Sequence, residues 1–310
     1  MARVAGRTRG APLAARRGAL LLSALLLVVP LCQARAADSP VAQMVSAELA
    51  FSKMAGERGI RDAFLHYLAD DSVILAQRPV NGQQANREGP ADPGVLSWYP
   101  SLAGVSGAGD LGYSTGPYEY RAAAGKAPVG FGHFISVWRR QANGDWKVVF
   151  DAGVRNEQTA QAPAGLQRKE EGLVPAPALA AVALAQHEQA LRQAETSLGK
   201  DVAAKGGTAR LGWLAREVRF FRDRQEPLTD RESIARLLRD EKAAPVWNMG
   251  KVVLAASGDL GYAYGTARVP DGIPEQRAWM RVWSFDRGVW RVKLDLELPI
   301  PDSAAKAKSE

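Results

Sequence analysis

Two residues in this chain carry side chains suited to moving a proton in apolar surroundings, His133 and Asp151. Imidazole titrates nearest neutral pH, so a general base is the chemistry His133 suits best. A hydrogen-bonded histidine at a strand end is the plainer alternative. Asp151 closes the largely apolar run Trp146-Lys147-Val148-Val149-Phe150. A carboxylate buried there is costly unless paired, so it reads as a base, an orienting group or a structural acceptor. Its recurrence as Asp295 in a second, similar run leans towards structure. Tyr67, Trp98, Tyr113, Tyr118, His133 and Trp138 are the candidate ligand-binding residues. Their rings can line an apolar pocket with hydroxyls at its mouth, or simply fill a core.

Other chemistries find less support. Gly107-Ala108-Gly109-Asp110-Leu111-Gly112 satisfies the dinucleotide fingerprint, but the mechanism needs a helix directly after the glycines. Tyr113-Ser114-Thr115 continues a strand instead, so the segment reads as a hairpin turn. The three histidines, His66, His133 and His187, are far apart and have no spacing that suits a metal. Asp70-Asp71 reads as a solvated helix end. Gly104-Val105-Ser106-Gly107-Ala108 lacks the last glycine of a nucleophile elbow. No cofactor and no metal are expected.

The elements that must position the candidate residues come in two sets. Gly109–Tyr113 recurs as Gly258–Tyr262, 149 positions later, and Val137-Trp138 recurs as Val282-Trp283. Gly144–Asp151 is echoed by Gly288–Asp295, and Trp98 by Trp247. Matched blocks in one order indicate a duplicated domain. In the first copy Ser39-Pro40 is a cap and first-turn pair, followed by a helical stripe of Val41, Met44, Val45, Leu49 and Met54. Ile60, Ala63, Phe64, Tyr67 and Leu68 predict a second helix. Strands are expected over 72–76, 96–105, 111–121, 133–141 and 146–153, with Asn143-Gly144 as a hairpin turn and Gly116-Pro117 as a bulge or bend. Helices first and sequential antiparallel strands after describe an α+β class.

The N-terminus orders basic residues, an apolar run over 18–31 and the small-residue pattern Ala34-Arg35-Ala36, as in a secretory signal peptide. The run is short for a membrane span, so no stable anchor is expected after cleavage. The whole chain has a net charge of +7, but residues 1–36 hold six arginines and no acid, leaving +1 for the mature chain. Nucleic acid and anionic membrane lose their compositional support as partners. The single cysteine, Cys32, leaves with the signal, so no disulfide is expected in the periplasm or outside the cell. The expected organisation is a signal peptide at 1–36, a first domain at 37–154, a Pro/Ala/charged linker at 155–178, a second domain at 179–300 and a disordered tail at 301–310.

Ala47-Glu48-x-x-Phe51, Ala63-Phe64-Leu65-x-x-Leu68-Ala69-Asp70-Asp71, Leu96-Ser97-Trp98, Gly109–Tyr118 and the closing Val137-Trp138…Gly144-x-Trp146-x-Val148 resemble the SnoaL-like branch of the nuclear transport factor 2-like superfamily. The second copy resembles it more loosely. The resemblance implies two tandem cones, each a strongly bent antiparallel sheet wrapped around N-terminal helices and enclosing an apolar pocket. It carries over no catalytic residue. A small, largely apolar ligand in the domain 1 pocket is the leading expectation. The alternatives are an isomerase, dehydratase or hydrolase with one acid/base group, and a structural or interaction module. The two domains are expected to pair within the chain. Export predicts cleavage between Ala36 and Ala37. The intact mass of protein recovered from periplasm or medium should correspond to a chain starting at Ala37, and a chain still starting near Met1 would refute export.

Overall fold

The computed structural model describes residues 39–156, 169–172, 174–241, 245–269 and 276–301. The proposed signal peptide and the tail beyond residue 301 lie outside them. In domain 1, helix α1 (Pro40–Arg58) starts at Ser39, whose Oγ accepts from the Ala42 amide at 3.3 Å. It ends at Gly59, whose φ of 92° suits glycine and turns the chain directly into α2 (Ile60–Tyr67). The stripe that faces the core runs Val41, Met44, Val45, Glu48, Phe51 and Ala55, so a carboxylate occupies a core position in α1. Leu49 and Met54, expected on this stripe, are only partly buried.

The strands are β1 (Leu68–Leu75), β2 (Pro79–Asn81), β3 (Val95–Trp98), β4 (Leu102–Val105), β5 (Leu111–Arg121), β6 (Gly130–Arg140) and β7 (Trp146–Asn156). A short helix α3 (Gly82–Glu88), which the sequence reading missed, follows β2. Its start is capped by Asn81, whose Oδ1 accepts from the Gln84 amide at 2.8 Å. The sheet order is β2-β1-β7-β6-β5-β4, with β3 also paired to β5 and a further strand beyond β4. Strand β8 (Lys169–Gly172) runs parallel to β4 and falls within the segment expected to be a linker. β7 also enters that segment, ending at Asn156.

Domain 2 repeats the plan with α4 (Ala181–Lys205), a 3₁₀ turn (Gly207–Trp213), β9 (Leu214–Arg222), α5 (Arg231–Asp240), β10 (Val246–Leu254), β11 (Leu260–Arg268), β12 (Gln276–Asp286) and β13 (Val289–Ile300). Its sheet order, β10-β11-β12-β13-β9, matches β3/β4-β5-β6-β7-β1. The molecule is therefore two tandem α+β cones. The sheets are not wholly antiparallel. β1 and β9, each entered from a helix instead of a hairpin, run parallel to β7 and β13.

The expected interruption at Gly116-Pro117 lies elsewhere. β5 runs unbroken through both residues, and the break falls in its partner, at Tyr99-Pro100-Ser101 between β3 and β4. Gly116 permits this: a Cβ there would stand 1.9 Å from the Tyr99 carbonyl oxygen. Gly265 meets the Asn248 carbonyl oxygen in the same way at 2.0 Å, beside the β10 bulge. The bend is thus a paired feature of both copies.

The outer faces of the two sheets share one apolar cluster, with Tyr113, Ile135, Val137 and Phe150 from domain 1 and Phe221, Tyr262, Met280 and Leu296 from domain 2. Phe150 lies 5.9 Å from Tyr262 and 5.3 Å from Tyr264 between ring centres. The repeated Gly-Asp-Leu-Gly-Tyr turns meet at one edge of this contact. The Gly107 amide donates to Asp259 Oδ2 at 2.9 Å, and the Ala256 amide donates to Asp110 Oδ2 at 2.8 Å. The motif that resembles a nucleotide fingerprint is therefore a reciprocal cross-domain clasp. Replacing Gly116 by alanine should lower stability by about 1–3 kcal/mol, because backbone must shift to admit the methyl group. Urea denaturation checks this, and an unchanged midpoint would show that the close approach constrains nothing.

Candidate functional site

Domain 1 holds a cavity of about 400 Å³ between its helices and the inner face of β5, β6 and β7. Phe51 and Phe64 project into it from α1 and α2, Trp98 from β3, Tyr118 from β5 and Phe134 from β6. These rings make a wall that is aromatic on several sides. Its polar groups include Ser136 and Asp151, neighbours across β6 and β7. The Ser136 hydroxyl donates to Asp151 Oδ2 at 2.8 Å.

A second carboxyl stands behind the first. Glu48 is fully buried and accepts from Trp98 Nε1 at 2.6 Å, Ser114 Oγ at 2.5 Å and Trp138 Nε1 at 2.8 Å. These donors satisfy the carboxyl without bringing it a positive charge. Burial nonetheless pushes its pKa up, with the three donors opposing. Asp151 rises to about 7. Desolvation is the main cause, the Ser136 hydroxyl works against it, and the charge of Glu48 adds to it. A carboxyl in an apolar cavity thus exchanges its proton near neutral pH.

The same frame is occupied differently in domain 2. Strand register matches Ser136 to Arg281, Asp151 to Asp295, Phe134 to Trp279 and Gly153 to Glu297. Glu195 takes the place of Glu48, accepting from Trp283 Nε1 at 2.7 Å as Glu48 does from Trp138. Arg281 fills the space that is open in domain 1. Its Nε donates to Asp295 at 2.6 Å and its Nη1 to Glu195 at 2.9 Å. Burial disfavours the Arg281 charge, but Glu195, Asp295 and Glu297 outweigh it and hold the guanidinium above its ordinary pKa. Glu297 is likewise held low by Arg210, Arg222, Arg281 and Arg277 against its own desolvation.

The structure brings Trp98, Tyr118 and Asp151 together at the cavity. Tyr67 and Trp138 lie behind its wall, Tyr67 stacked on Phe51 at 4.9 Å and Trp138 wholly buried on Glu48. Tyr113 and His133 are on the other face of the sheet. Alternation along a strand places Phe134 and Ser136 inside and His133 outside, and Tyr118 inside and Tyr113 outside. Tyr113 belongs to the inter-domain cluster. His133 Nδ1 is 3.2 Å from Asn156 Oδ1 and 3.9 Å from Glu226 Oε2 of domain 2, and burial lowers its pKa. His133 is therefore not a base for this cavity, and Tyr113 is not part of its wall. Glu48 was missed as a site residue. Its signal was a glutamate on the apolar stripe, four residues after Met44 and three before Phe51, repeated as Glu195. Among the described residues no cluster of histidine, cysteine, aspartate and glutamate is arranged to hold a metal ion.

No protein-family model matches the chain, and no curated protein matches it. Among solved structures it is similar to proteins of the nuclear transport factor 2-like and cystatin-like fold, at low identity and over part of its length. A nuclear transport factor 2-like protein with a cystatin-like fold from Novosphingobium aromaticivorans shares 15% identity, covering 42% of this chain and 92% of that one, with a TM-score of 0.33. A domain of unknown function with a cystatin-like fold from Nostoc punctiforme shares 12%, covering 40% and 83%, with a TM-score of 0.34. Nuclear transport factor 2 from Cryptosporidium parvum shares 13%, covering 37% and 94%, with a TM-score of 0.32.

The raised pKa of Asp151 fixes a sign for stability. Between the ordinary value of 3.8 and about 7, the folded chain holds a proton here that the unfolded chain has released. This group's contribution to stability therefore falls as pH rises through that window and is level above it. Asp151→Asn should raise stability at pH 8 by about 1–4 kcal/mol, the upper bound being that interval at 1.36 kcal/mol per pH unit, and leave it nearly unchanged at pH 4. Denaturant titrations at the two pH values check this. Equal effects at both would mean that the carboxyl titrates normally.

Proposed function

We propose that domain 1 binds a small, largely apolar molecule in its aromatic cavity, with Asp151 as the polar anchor, while domain 2 serves as a filled, stabilising copy. The observation that carries this reading is the 400 Å³ cavity ending in a carboxyl whose pKa lies at about 7. Cavities of this size suit small ligands, and a few placed polar groups orient what they hold. A second reading rests on the same carboxyl. A group that exchanges its proton near pH 7 is matched to general acid/base work, so Asp151 can act on the bound molecule as an isomerase, dehydratase or hydrolase would. The residues around Glu48, Trp98 and Gly109–Tyr118 support the SnoaL-like branch, and the N-terminal pattern supports export to the periplasm or beyond. The shared apolar cluster and the paired Asp110 and Asp259 contacts support a stable intramolecular pair.

Mass spectrometry of small molecules released from the exported protein tests the binding reading. An apolar compound should accompany the wild type and be depleted in Phe134→Trp, which narrows the cavity towards the domain 2 arrangement. Equal recovery from both would place the molecule elsewhere. Conversion of the compound by the wild type but not by Asp151→Asn would establish the enzymatic reading, and unchanged compound in both would establish binding alone.

A further inference from the structure

The two copies share one framework of acids and aromatic rings, and in domain 2 that framework already holds an organic cation. The Arg281 guanidinium carbon lies 4.7 Å from the Trp247 ring centre and 4.8 Å from that of Trp279. Its nitrogens donate to Asp295 and Glu195. Each of these four groups has its counterpart in domain 1: Trp98, Phe134 and Asp151 at the cavity, and Glu48 behind Asp151. The cation is missing, as is the third acid on Arg281, Glu297, whose place Gly153 takes; Ser136 stands where Arg281 would, and its short side chain leaves the space open.

We infer that the domain 1 cavity takes a small organic cation, an ammonium or guanidinium head on an apolar body, with the head seated where the Arg281 guanidinium sits in domain 2. This deepens, and rests on, the reading of the cavity as a binding site. The chemistry is consistent throughout. Phe51, Phe64, Trp98, Tyr118 and Phe134 line the cavity, and the face of an aromatic ring attracts a desolvated cation. Asp151 at one end, with Glu48 buried behind it, supplies the opposing charge. Glu48 from α1 bears on Asp151, and the other titratable groups lining the cavity are Tyr118 and Tyr120 from β5 and Arg155 from β7. Arg155 is the positive charge among the lining residues, and its guanidinium is engaged by Asp223 of domain 2 at 3.2 Å. A cation entering the cavity would relieve the repulsion between Glu48 and Asp151 that a neutral ligand leaves in place.

Calorimetric titration at pH 8 with benzylguanidinium, benzylammonium, benzyl alcohol and benzoate tests this on the full mature chain. Both cations should bind at least about tenfold tighter than benzyl alcohol, and benzoate more weakly still. Asp151→Asn should weaken the cations by about ten- to hundredfold and leave benzyl alcohol little changed. If benzyl alcohol or benzoate binds best and Asp151→Asn has no effect, the cation is wrong while the binding cavity stands. If none of the four binds at millimolar concentration, both readings fall. A tethered cation gives an independent measurement. Ser136→Arg copies the domain 2 arrangement, so it should melt at or above the wild type at pH 8 and no longer bind the probes. Adding Asp151→Asn to it should lower the melting temperature by several degrees. A Ser136→Arg chain that melts well below the wild type, with Asp151→Asn restoring it, would overturn the inference.

Discussion

Burying a carboxylate in the apolar interior of a curved sheet is the constraint around which both halves of this molecule are arranged. An isolated charge there is prohibitive, so the group must gain donors, gain a counter-ion or keep its proton. The duplication preserved the acids, as Glu48 and Asp151 in one copy and Glu195 and Asp295 in the other, and resolved the cost in two ways. Domain 1 uses neutral donors, the indoles of Trp98 and Trp138 and the hydroxyls of Ser114 and Ser136. Domain 2 uses arginines, with Arg281 wholly buried between Asp295 and Glu195. One solution leaves a proton-exchanging group beside open space; the other fills that space with an ion-pair network.

The cavity is thus made by small residues as much as by its aromatic walls. Ser136 and Gly153 stand where domain 2 has Arg281 and Glu297, and those two exchanges remove the side chains that would occupy the centre of the cone. Removing a buried ion-pair partner ordinarily leaves the other charge uncompensated. In domain 1 the consequence is a carboxyl poised near neutral pH, which is a chemical property and not only a loss of stability.

Pairing of the sheets decides which residues are left for function. The outer faces carry Ile135, Val137, Phe150, Met280 and Leu296, an apolar surface too extensive to leave in water, and each sheet covers the other. Outward-facing residues of β5 to β7 are spent on that contact, which removes Tyr113 from the cavity, and His133 on the same face meets Asn156 and Glu226. The Asp110 and Asp259 clasps give the repeated turn a common role: each aspartate accepts from one backbone amide of the other copy.

The duplication, the α+β class, the principal strands and the hairpin at Asn143-Gly144 were legible in the sequence, because local periodicity and turn chemistry determine them. So was the aromatic and acidic composition of the site, with Trp98, Tyr118 and Asp151 named. The α3 helix and β8 were not legible, since one is short and amphipathically weak and the other pairs only with distant β4. Which face each strand residue takes was open as well. Alternation relates neighbours to one another, but only the contact between two sheets 149 residues apart in sequence chooses the inner face. Glu48 announced itself merely as a charge on an apolar stripe. That it meets two indoles and a serine, and adds to the burial that lifts the pKa of Asp151, depends on strands folding back over α1, a long-range arrangement that no local pattern encodes.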